Sequence, residues 1–311
     1  MRKIAIFGLG GVGGYFGGLL AKGYEHSDQI EIYFIARGEN ERIIDKNGLR
    51  LETYKGNFTI FPKKVTSDPS SIGKVDYIIC CTKNYDIEQS VIQLHSCIDK
   101  RTIIIPLMNG FEGHALIKNI FPENEVWDSC VYLVSELIEP GFVKQTGNME
   151  SLYFGSNIAA PSQLQEVESI FLNANINAAI SSDIEQTVWI KFIFISALAT
   201  ITSFLDASIG EILADQSGRN QLLSLLTEIK AVADAKNISL PEDIIKITTD
   251  KLEGLPYKTT SSMHTDFIKG KSTELHSLTG YIVKTGKEYK INTPTYNMMY
   301  EGLMNRNLQK F

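Results

Sequence analysis

Six residues near the start of the chain have types and spacing suited to a phosphate. Gly8-Leu9-Gly10-Gly11-Val12-Gly13 fits G-x-G-x-x-G. The run follows a strand-like segment at 3–7 and opens a helix-like one at 12–22, the setting the motif requires. Gly8 can take the tight turn, Gly10 puts no Cβ in the way of a pyrophosphate, and Gly13 lets helix and strand pack closely. The helix start adds amide N–H groups and a partial positive charge. All six residues are therefore candidate contacts to a dinucleotide. At the end of the second strand, a carboxylate would take a ribose 2′-hydroxyl and a cation a 2′-phosphate. That strand ends Phe34-Ile35-Ala36-Arg37, and Arg can pair with a phosphate bidentately. The expected cofactor is NADP(H).

Five further residues could carry binding or proton transfer. Lys83 follows the apolar run 76–82, and Asn109, with Gly110, follows the run 102–105. Both stand at the carboxyl ends of expected parallel strands, where ligands bind in open α/β sheets. Each is a candidate contact to cofactor ribose or substrate; each also reads as a surface Lys or an Asn-Gly turn. Lys191 lies among Trp189, Ile190, Phe192, Ile193 and Phe194. A Lys so placed either snorkels to solvent or is a functional amine. Glu274 opens the helical stretch 273–289, where the helix dipole favours an acid. Ser262, a dozen residues earlier, alone reads as a loop or capping residue.

These residues need elements to position them. A length of 311 residues suggests about two domains. Up to residue 180, short β-rich runs alternate with helical patterns. They include strands at 30–36 and 126–133, a hairpin of 50–53 with 58–61, and short antiparallel segments at 142–145 and 152–154. A helix opens at Pro161. This alternation predicts an α/β fold, a Rossmann-type doubly wound parallel sheet over 1–180 that binds the dinucleotide. Beyond it, helical patterns at 184–205, 219–236, 241–252, 273–289 and 294–308 predict an all-helical domain over 181–311.

Composition narrows the function. Net charge is −6, and acidic residues outnumber basic ones in both halves, which argues against a nucleic-acid or anionic-membrane partner. Four cysteines without a C-x-x-C pair argue against a metal site and fit a reducing, cytoplasmic setting. The amino-terminal apolar run is strand-length and has no signal-peptide pattern. The segment 188–205 is apolar enough to suggest a membrane span, but it carries Lys191, Ser196, Thr200, Thr202 and Ser203. It reads as a helix buried in protein.

Taken in order, GLGGVG, CTKNYD, LMNGFEG, VWIKF, SSMHTDFIKGKSTE and INTPTY resemble the ketopantoate reductase (2-dehydropantoate 2-reductase) family over nearly the whole chain. The resemblance implies an NADPH-binding Rossmann domain and a helical domain that takes part in substrate binding. It implies that Lys191 is the catalytic lysine, Glu274 an essential glutamate, and Ser262 a substrate contact. Asn109 and Lys83 match the family's N-G and T-K positions, and Gly8, Gly10, Gly13 and Arg37 its cofactor positions. The reaction implied is reduction of 2-dehydropantoate to pantoate in pantothenate (coenzyme A precursor) synthesis. Lys191 would act as general acid, and Glu274 as its partner or as acceptor for the substrate hydroxyl. The chain departs from the family four and eight residues after the lysine, where Ile195 and Ala199 replace asparagines. Thr202 retains the downstream threonine. Without those amides a different, more apolar 2-keto acid is a second reading. A non-catalytic NADPH sensor is a third. Apolar helix faces leave a homodimer open.

Overall fold

The computed structural model describes residues 1–82 and 87–308, so Lys83 lies outside the described residues. The chain forms two compact units, Met1–Ile184 and Glu185–Phe311.

In the first unit β1 (Arg2–Phe7) leads to α1 (Gly11–Gly23), and β2 (Ile30–Ile35) to α2 (Gly38–Asn47). The hairpin β3 (Leu49–Thr53) and β4 (Gly56–Ile60) follows, then β5 (Lys64–Thr66) and β6 (Tyr77–Cys80). Next come α3 (Ile87–Val91), β7 (Ile103–Pro106), α4 (Glu112–Ile120), β8 (Asp128–Glu139) and β9 (Phe142–Gly155). α5 (Pro161–Asn173) and β10 (Ala178–Ile180) close the unit. One sheet runs β5-β2-β1-β6-β7, parallel at every pair. Its central strands are buried on both faces, which explains their continuous apolar runs. Phe7 pairs with Ile35 and with Cys80, and Cys80 with Pro106. The strands thus end in line, and the segments beginning at Gly8, Ala36, Cys81 and Leu107 leave one sheet edge together. A second sheet, β10-β9-β3-β4 with β8 on β9, packs its inner side chains Leu49, Leu51, Val143 and Leu152 into the core that α1 shares.

The two short segments expected at 142–145 and 152–154 are halves of one strand. Leu133 pairs with Glu150 but Ser135 with Gln145, so residues 146–149 bulge out, with Gly147 at φ +71°. Two helices of this unit, α2 and α4, went unread in the sequence; each is only nine or ten residues long.

The second unit is helical: α6 (Ile184–Leu205, of which its first residue closes the previous unit), α7 (Ile209–Ala214), α8 (Gln216–Ala235), α9 (Ile244–Glu253), α10 (Ser262–Ile268), α11 (Tyr281–Tyr289) and α12 (Pro294–Leu308). Ser208, Asp215 and Ser261 cap α7, α8 and α10 through backbone N–H groups. The stretch expected as one helix over 273–289 instead begins with a π turn, His276–Gly280, before α11. A Cβ on Gly280 would stand 2.9 Å from the Tyr300 ring, so glycine permits the close approach there.

Candidate active site

The phosphate loop joins the buried end of β1 to α1. Gly8 has φ +92°, and a Cβ there would stand 3.0 Å from the Thr82 backbone nitrogen. Gly13 is excluded from any larger residue: its Cβ would sit 1.9 Å from the Gly8 carbonyl oxygen. Gly11 passes under β8, where a Cβ would come 2.3 Å from the Ser135 carbonyl oxygen. Gly10 differs, because a Cβ there would meet nothing within 4 Å. The N–H groups of Gly10, Gly11 and Val12 donate to no acceptor among the described residues, and no side chain caps α1. These are the orphan donors of a helix start. Three glycines fixed by contact and a fourth facing open space form a cradle that fits a pyrophosphate. Leu9 is buried under the loop and Val12 half-buried.

Arg37 is exposed at the N-cap of α2 and makes no hydrogen bond or ion pair among the described residues. The nearest acid in sequence, Glu39, is paired with Arg42 at 2.7 Å. Asn109 is half-buried just past β7, before Gly110 at φ +79°. The end of β2 therefore presents a cation beside the cradle's own strand, the pattern suited to a 2′-phosphate.

In the helical unit α6 supplies Lys191. Trp189, Phe192 and Ile193 are buried, and the Trp189 and Phe192 rings pack on Tyr281 at 6.3 and 5.4 Å. Thr187, Ile190, Lys191, Phe194 and Ile195 are half-exposed, a stripe with helical spacing. Lys191 is thus not enclosed on all sides, as its neighbours in sequence suggest; it shares an accessible, mostly apolar face with Ile195 one turn on. Residues 196–203 are all buried, so Ala199 lies in the closed half of the helix. Of the two departures from the family, only Ile195 is on the accessible face.

The polar residues of α6 are fasteners. Ser196 Oγ donates to the Leu278 carbonyl at 3.0 Å and lies 2.9 Å from the Tyr296 hydroxyl. Thr200 and Thr279 hydroxyls meet at 2.8 Å, and those of Thr202 and Ser261 at 3.0 Å. Burial pushes the Tyr296 hydroxyl well above the usual tyrosine range, so it stays protonated and able to donate. Glu228 accepts from the backbone N–H groups of Thr295 and Tyr296 at 2.8 and 2.9 Å, capping α12. These bonds account for hydroxyls in a 22-residue apolar helix that length alone would let cross a membrane.

Glu274 is 5% exposed, and its carbonyl accepts from Leu278 N–H at 2.9 Å and Ser277 Oγ at 3.1 Å. It therefore stands at the entrance to the π turn that Ser196 and Thr200 fasten. Ser262 is exposed at the first turn of α10; its neighbour Ser261 is the cap, accepting from His264 N–H at 3.0 Å. The fold thus groups Gly8 to Gly13, Arg37 and Asn109 at one sheet edge of the first unit, and Lys191 and Glu274 on fastened elements of the second.

Sequence reasoning missed Asn40, Glu228 and Tyr296, and named Ser196 only as a polar residue of the segment 188–205. None sits in a spacing that signals chemistry; Tyr296 lies in the quoted INTPTY segment, the one trace that pointed to it.

The family description "Ketopantoate reductase PanE/ApbA" matches residues 4–158, and its C-terminal counterpart matches 183–307. A solved 2-dehydropantoate 2-reductase from Porphyromonas gingivalis is 33% identical, with 97% of this chain and 99% of that one covered and a TM-score of 0.85. An uncharacterized oxidoreductase of Bacillus subtilis is 26% identical over 97% of both chains. A D-mandelate dehydrogenase solved with NADH and anilino(oxo)acetate shares the fold at TM-score 0.87, with 22% identity and 99% of both chains covered. The paired α/β and helical units, matched end to end, place this chain in the ketopantoate reductase family of oxidoreductases.

Proposed function

We propose that the protein reduces a 2-keto acid with NADPH, and that 2-dehydropantoate, giving pantoate for pantothenate synthesis, is its first candidate substrate. The observation that carries the reading is Arg37 at the end of β2, without a pairing partner among the described residues, where an NAD-specific site places an acid. Gly8, Leu9, Gly10, Gly11, Val12 and Gly13 would hold the pyrophosphate, Arg37 the 2′-phosphate, and Lys83 and Asn109 the remaining cofactor contacts. Bound NADPH supplies the hydride that reduces C2. Lys191 gives its proton to the carbonyl oxygen as negative charge develops there. Glu274 holds the amine or accepts the substrate hydroxyl, and Ser262 and Asn109 contact the substrate.

Ile195 favours a second reading within the same reaction. On the Lys191 stripe it offers methyl groups rather than an amide, which suits a keto acid with an apolar substituent. The test is consumption of NADPH, and of NADH in parallel, with 2-dehydropantoate and a panel of apolar 2-keto acids. The highest kcat/KM with 2-dehydropantoate and NADPH supports the first reading. A winning apolar acid moves the substrate to the second. Faster turnover with NADH overturns the Arg37 reading, and binding of NADPH with no turnover on any acid leaves a sensor.

A further inference from the structure

We infer that Asn40 is a positioning residue that aims the phosphate loop at the dinucleotide. The inference rests on the loop binding a pyrophosphate, and it does not depend on which keto acid is reduced. Asn40 is half-buried on α2, three residues after Arg37, and its side-chain amide is used at both ends. Nδ2 donates to the Leu9 carbonyl at 3.0 Å. Oδ1 accepts from the Gly141 N–H at 2.7 Å, in the turn between β8 and β9. That turn is itself fixed. The Gly141 carbonyl accepts from Arg50 N–H at 2.8 Å, and Gly141, at φ +77°, lies so close to α2 that a Cβ would be 2.5 Å from Ile43 Cγ2. The amide therefore spans three elements: the phosphate loop, α2 and the second sheet.

The consequence follows from the planar peptide. The Leu9 carbonyl and the Gly10 N–H belong to one trans peptide unit and point in opposite directions. Holding the carbonyl toward α2 turns the Gly10 N–H away from α2. That N–H has no acceptor among the described residues, and Gly10 is the loop glycine whose missing Cβ faces open space. Without the Asn40 amide the Leu9–Gly10 peptide keeps no side-chain hydrogen bond among the described residues, and the loop must be ordered when ligand binds. That ordering reduces affinity.

Asn40→Asp separates the two bonds. A carboxylate still accepts from Gly141 N–H but sets an oxygen against the Leu9 carbonyl; Asn40→Ala removes both bonds. The measurement is Kd for NADPH and for NADH, by titrating the fluorescence of the reduced cofactor, beside Tm of the ligand-free proteins. Both cofactors carry the pyrophosphate, so the expected result is a rise of at least about ten-fold in both Kd values. The NADPH-to-NADH ratio stays close to wild type, and Asn40→Ala, which adds no charge beside the loop, shows the rise as well as Asn40→Asp. Arg37→Ala, by contrast, weakens NADPH alone. Unchanged Kd values overturn the inference. So does a loss confined to NADPH, which would place the effect at Arg37, or a loss that follows a fall in Tm, which would make Asn40 a structural brace. A wild type that binds dinucleotide without reducing any keto acid defeats the proposed function and leaves this comparison intact.

Discussion

Lys191 is the proposed proton donor, and its surroundings say how to test it. It sits half-exposed between the buried Trp189 and Phe192 on α6, in the unit that does not carry the glycine loop. If it donates the proton, truncation removes transition-state stabilisation and leaves cofactor binding alone. Lys191→Ala should lower kcat by about 10²- to 10⁴-fold, the range of a lost general acid, with Kd for NADPH within about two-fold of wild type. Steady-state kinetics and cofactor titration together check this. Parallel losses of turnover and cofactor affinity would remove Lys191 from the acid's role. Sequence alone left this lysine between snorkelling and function, because neighbours in sequence surround a helix while neighbours in space occupy only part of it. The stripe shared with Ile195 became visible only with burial.

Fastened elements hold this lysine's helix. Glu228 caps α12, Tyr296 at the start of α12 reaches Ser196 on α6, and Ser196 reaches the π turn after Glu274. Glu228 is only 8% exposed and accepts two backbone N–H groups, bonds to a charged acceptor that are worth more than neutral ones. Glu228→Ala should therefore cost roughly 2–3 kcal/mol. Tyr296→Phe, which leaves Ser196 bonded to the Leu278 carbonyl, should cost roughly 1 kcal/mol. Denaturant unfolding followed at Trp189 measures both; equal costs, or none, would show that the chain of bonds does not carry the packing. This network also marks the limit of what was legible. The parallel strands β1, β2, β6 and β7, the glycine loop and the helices α6, α8 and α12 were readable because apolar period and glycine spacing are local. The π turn was not, since it depends on Gly280 meeting Tyr300 and on hydroxyls from another helix. Asn40 was unreadable for the same reason: its two partners lie 31 and 101 residues away.

The molecule carries two tryptophans, and the fold assigns one to each compact unit. Trp127 is fully buried in the first, stacked on Phe154 at 6.1 Å with its ring N–H donating to Glu125. Trp189 is fully buried in the second, edge-on to Phe192 at 5.8 Å. Each unit therefore has its own optical reporter, readable separately in Trp189→Phe and Trp127→Phe proteins. A ligand stabilises the folded body that binds it by RT ln(1 + [L]/Kd), about 2.7 kcal/mol at a hundred times Kd. The phosphate loop and Arg37 belong to the first unit. NADP+, which does not absorb tryptophan emission, should move the Trp127 unfolding transition by about that amount and the Trp189 transition by less. Two transitions are the ordinary expectation for a chain of two compact bodies. Equal shifts at both tryptophans would instead show a single cooperative unfolding step. A shift at Trp189 alone would place the dinucleotide on the helical unit, and the assignment of Gly8 to Gly13 as its cradle would fall with it.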